Sequence, residues 1–99
     1  MTCEAALSEA SHLLGRNGTR ALALMLRRAA VVCGFRFADD IDAVLELLEK
    51  YADVPISFAD ACLVRMTETL NDPMLLTTDA DFRIYRRHGR QVVACVLPR

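Results

Sequence analysis

The residues of this 99-residue chain best suited to chemistry are acids set where a helix or strand is otherwise apolar. A helix turns ~100° per residue, so in the segment opened by Ser57 the side chain of Asp60 falls between Leu63 and Val64 on the apolar face. Ser57, Phe58, Ala59 and Asp60 also fit a capping box, in which Asp60 reaches back to the Ser57 amide. Glu9 lies at the edge of the apolar stripe of a first helix, with Ala6 and Leu13 one turn away. Asp79 and Asp81 follow the apolar run from Met74 to Thr78, at the carboxyl end where open α/β sheets place their ligands, although a cap or a turn would use them equally well. Brought together, such carboxylates would form an anionic centre for a cation. The alternatives are weaker. His12 and His88 fall in different elements with no carboxylate spaced to orient either, which disfavours a nucleophilic serine or cysteine. Cys3, Cys33, Cys62 and Cys95 lie far apart with no C-x-x-C pair, and read as reduced, mostly buried thiols.

The elements that would position these acids alternate between helix and strand. Thr2 is expected to cap a helix running to about Leu14, which the stretch from Gly15 to Gly18 ends. A second helix starts near Thr19, and the β-branched and aromatic run from Val31 to Phe37 reads as a short strand. Asp39 opens a third helix through Ala43, Val44, Leu47 and Leu48, closed before Pro55 because the residue preceding a proline is pushed out of the helical region. The helix opened by Ser57 runs to about Leu70. Asn71, Asp72 and Pro73 then turn the chain into a buried strand from Met74 to Thr78, and Gln91 to Leu97 is a further strand. Helices between short apolar strands predict an α/β fold with a parallel sheet flanked by helices, in one domain spanning residues 1–99.

A net charge of −1 conceals segregation. Between Gly15 and Phe37 every charge is basic (Arg16, Arg20, Arg27, Arg28 and Arg36), whereas from Asp39 to Asp81 eleven acids meet only Lys50 and Arg65. From Phe82 onward every charge is arginine again. Two readings follow: solvated helix faces, or a cationic rim for a polyanion around an anionic centre. With no apolar run near the roughly 20 residues a bilayer requires and no signal-like start, the expectation is a soluble, cytoplasmic protein without membrane association.

The combination of motifs carries a resemblance that no single residue does. YADVPISFADA from Tyr51 to Ala61, LLTTDADFRIYR from Leu75 to Arg86 and LSEASHLL from Leu7 to Leu14 together resemble PIN-domain proteins of the VapC toxin type. The likeness spans nearly the whole chain, and Tyr51 to Tyr85 is its most specific part. It implies that Glu9, Asp60 and Asp79 are metal-site carboxylates, with Asp81 competing for the last place and Thr77 a nearby polar helper. The spacing Asp79-Ala80-Asp81-Phe82 is one residue tighter than the family's common Asp-x-x-Asp-Phe, so both acids stay open. The implied cofactor is Mg²⁺ or Mn²⁺, hard ions that take carboxylate and phosphate oxygens and keep several waters. The implied activity is endoribonuclease cleavage of RNA by metal-activated water, with a cognate antitoxin protein as partner and a homodimer admitted. Arg83, Arg86, Arg87 and Arg90 would then hold RNA phosphates beside the metal, where Tyr85 and Phe82 could stack bases.

Family members begin with a strand ending in Asp and two helices before the segment that here starts at Met1, so the first catalytic acid is missing from this reading. The chain is accordingly expected to cleave RNA poorly or not at all unless that strand is supplied. The competing functions are a catalytically inactive, truncated PIN-like module that binds a partner protein or RNA, and an unrelated small α/β interaction domain whose acids are caps.

Overall fold

In a computed structural model of the chain, the residues described are 1–54, 56–71, 75–76, 84–89, 91–92 and 95–96. They form a mixed α/β structure that divides into two compact units, Met1–Leu63 and Val64–Arg99, with the boundary inside a helix.

The first unit opens on strand β1 (Thr2–Cys3), which runs parallel to β2 (Cys33–Phe35) with Thr2 opposite Cys33 and Cys3 opposite Phe35. Thr2 is therefore a strand residue and not the expected helix cap: its backbone N–H donates to the Val32 carbonyl at 2.8 Å, which holds it extended. Helix α1 (Glu4–Arg27) starts after Cys3, whose side chain makes no capping bond. The two helices expected here are joined into one run and meet at Gly15, where φ is 71° and ψ is −170°. Only glycine takes that combination without a steric penalty, so the break falls at this residue. The helix resumes immediately instead of near Thr19, and the Thr19 hydroxyl donates across the break to the Ser11 carbonyl at 3.1 Å.

At its far end α1 closes with the bond pattern of a Schellman motif, Ala30 N–H to the Met25 carbonyl at 2.9 Å and Ala29 N–H to the Leu26 carbonyl at 3.2 Å. Ala29 accordingly sits at φ 57°, where a glycine is usual. The strand expected from Val31 to Phe37 is present as β2. A 3-10 turn at Phe37–Asp39 follows, so α2 (Ile41–Lys50) has Asp40 at its N-cap, one residue after the expected Asp39. The periodicity of α2 is borne out, since Val44 and Leu47 are buried.

Helix α3 (Phe58–Glu68) carries the boundary between the units. Ser57 opens it: its hydroxyl accepts the Asp60 N–H at 3.0 Å and its carbonyl accepts the Ala61 N–H at 3.0 Å. Loss of such a cap costs about 1 kcal/mol. Ser57→Ala is therefore expected to melt about 4–8 °C lower in a thermal scan followed by circular dichroism.

In the second unit β3 (Leu75–Leu76) is parallel to β6 (Cys95–Val96), and β4 (Arg86–Arg87) is antiparallel to β5 (Gln91–Val92). The β4–β5 hairpin was not anticipated. The connection between them includes His88 at φ 51° and Gly89 at φ 80°, both left-handed. The single strand expected from Gln91 to Leu97 is instead divided between β5 and β6, which belong to different sheets. Among the described residues no helix is long and apolar enough to cross a membrane.

Candidate functional site

Because β1 and β2 are parallel, their carboxyl ends point the same way, and the residues that follow each strand face a common space. Glu4, Ala5 and Ser8 of α1, Arg36 and Phe37 after β2, and Phe58 and Cys62 of α3 line a cleft of about 760 Å³ there. The volume is within the range of small-molecule sites, and the position is where open α/β sheets bind ligands. Phe37 and Phe58 meet edge to face, their ring centroids 4.9 Å apart. The polar groups at the rim are exposed. Arg36 Nε lies 3.5 Å from Asp39 Oδ2, a solvated pair that contributes little to stability.

The thiols at the floor of the cleft are chemically quiet. Burial pushes the Cys3 thiol up, and burial followed by the neighbouring Cys3 pushes Cys62 up to about 11. Both stay protonated at neutral pH, which argues against a cysteine nucleophile because the thiolate is the reactive form. Cys33 is exposed. Native protein treated with iodoacetamide near pH 8 should therefore label the exposed Cys33 before the buried Cys62, whose thiolate fraction the rise from 9.0 to about 11 cuts by about a hundredfold. Peptide mass spectrometry against time checks this order, and equal labelling of Cys33 and Cys62 would contradict the buried placement. The sign for stability follows from the raised value: the contribution is intact below the ordinary pKa of 9.0 and lost as pH rises from there through about 11.

The carboxylates singled out by sequence do not line this cleft. Glu9 is exposed on α1, next to the lining residue Ser8. Asp60 is half-buried on α3, and it stands two residues from both Phe58 and Cys62, roughly 200° around the helix from each. Thr77, Asp79, Asp81, Arg83 and Arg90 lie outside the described residues. Among the described residues no three histidines, cysteines or acids are grouped so as to hold a metal ion. The proposed donor set, Glu9 and Asp60 with Asp79 or Asp81, offers only carboxylate oxygens, a chemistry suited to a hard divalent cation and not to zinc or copper.

Of the arginines expected to hold phosphate, Arg86 and Arg87 form β4. Arg86 Nη1 donates to the Ile84 and Tyr85 carbonyls at 3.0 and 3.1 Å. Arg87 is committed further: its Nη2 donates to the Thr67 and Leu70 carbonyls at 2.7 and 2.9 Å, and its Nη1 to Gln91 Oε1 at 3.1 Å. The His88 amide donates to Glu68 Oε2 in the same corner. Tyr85 is buried and presents no ring for stacking.

Sequence reasoning missed Glu4, Ser8 and Arg36 as cleft residues, because their roles follow from Thr2–Cys3 being a strand. A two-residue strand leaves no alternation to detect. Comparison with protein-family models, curated proteins and solved structures returns no match to this chain.

Proposed function

We propose that the chain is a PIN- and VapC-type domain of a Mg²⁺- or Mn²⁺-dependent endoribonuclease, acting on RNA and paired with an antitoxin protein. The observation that carries this reading is the joint presence of LSEASHLL, ISFADA and LLTTDADF in the family's order. Local structure supports it. Glu9 is on the helix that leaves a parallel strand, Asp60 is the third residue of a Ser57-capped helix, and Asp79 and Asp81 follow a strand in a parallel pair.

Glu9, Asp60 and Asp79, with Asp81 as the alternative to Asp79, would hold the cation. When bound, the ion supplies an acidified water and neutralises charge on phosphate oxygens. Without the ion, such carboxylates would repel one another. Arg83, Arg86 and Arg90 would hold the RNA backbone, and Thr77 would orient a neighbouring carboxylate. Arg87 takes no part, its guanidinium being occupied at the end of α3.

The test uses Asp60→Asn and Glu9→Gln. Asp60→Asn keeps the backbone bond to the Ser57 hydroxyl and removes only the charge. Mn²⁺ binding followed by electron paramagnetic resonance is expected to weaken by on the order of 10–100-fold in each variant, taking the loss on removing even a supporting residue as the guide. In a form extended upstream by a strand ending in Asp, chelator-sensitive cleavage of a mixed RNA pool should fall with it. Unchanged Mn²⁺ affinity in both variants would end the metal reading. A clear drop in melting temperature of Asp60→Asn in chelator would assign Asp60 to the cap instead.

A further inference from the structure

The cleft at the carboxyl ends of β1 and β2 is lined by neither Glu9 nor Asp60, so the metal-site reading leaves it without a ligand. Its walls carry three kinds of group. Cys3 pairs with Phe35 in register, and Glu4 and Arg36, the residues that follow them, therefore leave the two strands at one level. Neighbouring strands lie ~4.8 Å apart, which sets a carboxylate and a guanidinium on adjacent stretches of backbone at the cleft. The two do not pair with each other. Among the described residues Glu4 enters no ion pair, and Arg36 reaches only Asp39, in a solvated contact at 3.5 Å. An acceptor and a donor fork that do not neutralise one another suit a ligand with donors on one edge and acceptors on the next.

The third group is aromatic. Phe37 and Phe58 meet at 74° with centroids 4.9 Å apart, an edge-to-face contact that covers at most one face of one ring. Phe58 stays 44% exposed while lining the cleft, so ring surface is open to a flat occupant. Ser8, one turn along α1 from Glu4, adds a hydroxyl to the same wall.

We propose that this cleft binds a guanine base, stacked on Phe58 and read by Glu4 and Arg36. Among the four bases of RNA only guanine carries two adjacent N–H donors on its Watson–Crick edge, N1–H and the N2 amine, which a carboxylate accepts with its two oxygens. The same base carries O6 and N7 on the neighbouring edge, the pair that an arginine fork takes. Adenine and cytosine would each set a ring-nitrogen acceptor against the Glu4 carboxylate, and uracil two carbonyls. The Ser8 hydroxyl is available to the ribose. The base comes either from a free guanine nucleotide or from a guanine splayed out of single-stranded RNA, where proteins read bases by stacking and by their edges. The second source rests on the ribonuclease reading, and the first does not.

Isothermal titration calorimetry of the full chain in chelator, with the monophosphates of guanosine, adenosine, cytidine and uridine, tests the slot without metal and without cleavage. Guanosine monophosphate is expected to bind at least about tenfold tighter than the other three, the discrimination that a good two-bond contact gives. Inosine monophosphate, which lacks only the N2 amine, and the 7-deaza analogue, which lacks only N7, should each bind several-fold weaker than guanosine monophosphate. These two arms need no variant. Glu4→Gln should bring guanosine down to the level of inosine, and Phe58→Ala should weaken all four nucleotides by about tenfold, the loss of one stacked base. A short uridine oligomer carrying one guanine, compared with the same oligomer carrying inosine, separates the sources: tighter binding than guanosine monophosphate assigns the slot to RNA, and equal binding assigns it to the free nucleotide. Equal affinity for all four monophosphates overturns the inference. So does inosine bound as tightly as guanosine, or no saturable binding of either guanosine monophosphate or the guanine oligomer. Mn²⁺ affinity reports the metal site separately, so a failure here and a failure of the ribonuclease reading are told apart.

Discussion

Replacing Tyr85 with alanine is expected to lower stability by about 3–5 kcal/mol, the range for deleting a buried aromatic side chain. Tyr85 has no exposed surface and heads the fully buried side chains by volume. It stands immediately before β4 in the second unit, Val64–Arg99, where Val64, Met66 and Thr67 are the other buried side chains among the described residues. A domain holds only about 5–15 kcal/mol in total, so the loss is a large fraction of what keeps this one folded. Since 1 kcal/mol moves the midpoint by about 4–8 °C at this size, the variant should melt at least roughly 12 °C below the parent. Tyr85→Phe keeps the ring and should retain most of the difference. If Tyr85→Ala instead left the melting temperature unchanged and weakened RNA binding, the ring would have to be a surface group that stacks bases.

Arg87→Ala is expected to cost about 2–3 kcal/mol. The guanidinium reaches the end of α3 and donates to the Thr67 carbonyl, which also accepts the Leu70 N–H at 3.2 Å, and to the Leu70 carbonyl just beyond the helix, while Nη1 holds Gln91. Hydrogen bonds from a charged donor contribute about 1.5–3 kcal/mol, and a cation at a helix C-terminus adds a favourable interaction with the helix dipole. Arg87 Nε is buried with no partner among the described residues, in keeping with a group withdrawn from water. Removing the side chain takes the charged donor from the Leu70 carbonyl, leaves the Thr67 carbonyl with the Leu70 N–H alone, and frees the β4–β5 hairpin from the segment that ends α3. Arg87→Lys should recover only part of the loss, because an ammonium lacks the planar fork that serves several acceptors at once. The urea midpoint measures the cost, and hydrogen exchange at Thr69 and Leu70 reports whether the last turn opens first. Preserved stability with weakened RNA affinity would return Arg87 to the phosphate-binding group.

The features legible in the sequence are those that a residue's own chemistry enforces locally. Gly15 breaks the first helix because its φ and ψ are open to glycine alone. Val44 and Leu47 face the core because 3.6-residue spacing leaves them no other side. Ser57 opens α3 because its hydroxyl can take the Asp60 amide without help from elsewhere. The choice of Glu9 and Asp60 as candidate ligands belongs to the same class, since it rests on an acid beside an apolar stripe. Whether they meet a third acid does not, for that depends on how distant segments are brought together.

What only the tertiary structure decided involves partners far apart in the chain. Thr2 and Cys3 have nothing in their own sequence to make them a strand. They become one because Cys33–Phe35 offers a parallel edge, and that pairing moves the helix start to Glu4 and opens the cleft where the two strands end. Arg87 reads as one more member of a basic run until Thr67 and Leu70, 20 and 17 residues away, present their carbonyls to it. Gln91 and Cys95 share an apolar stretch but pair with β4 and β3 respectively. Backbone groups and charges take whichever partner lowers their desolvation cost most, and at these positions that partner is supplied by the fold and not by the neighbouring residues.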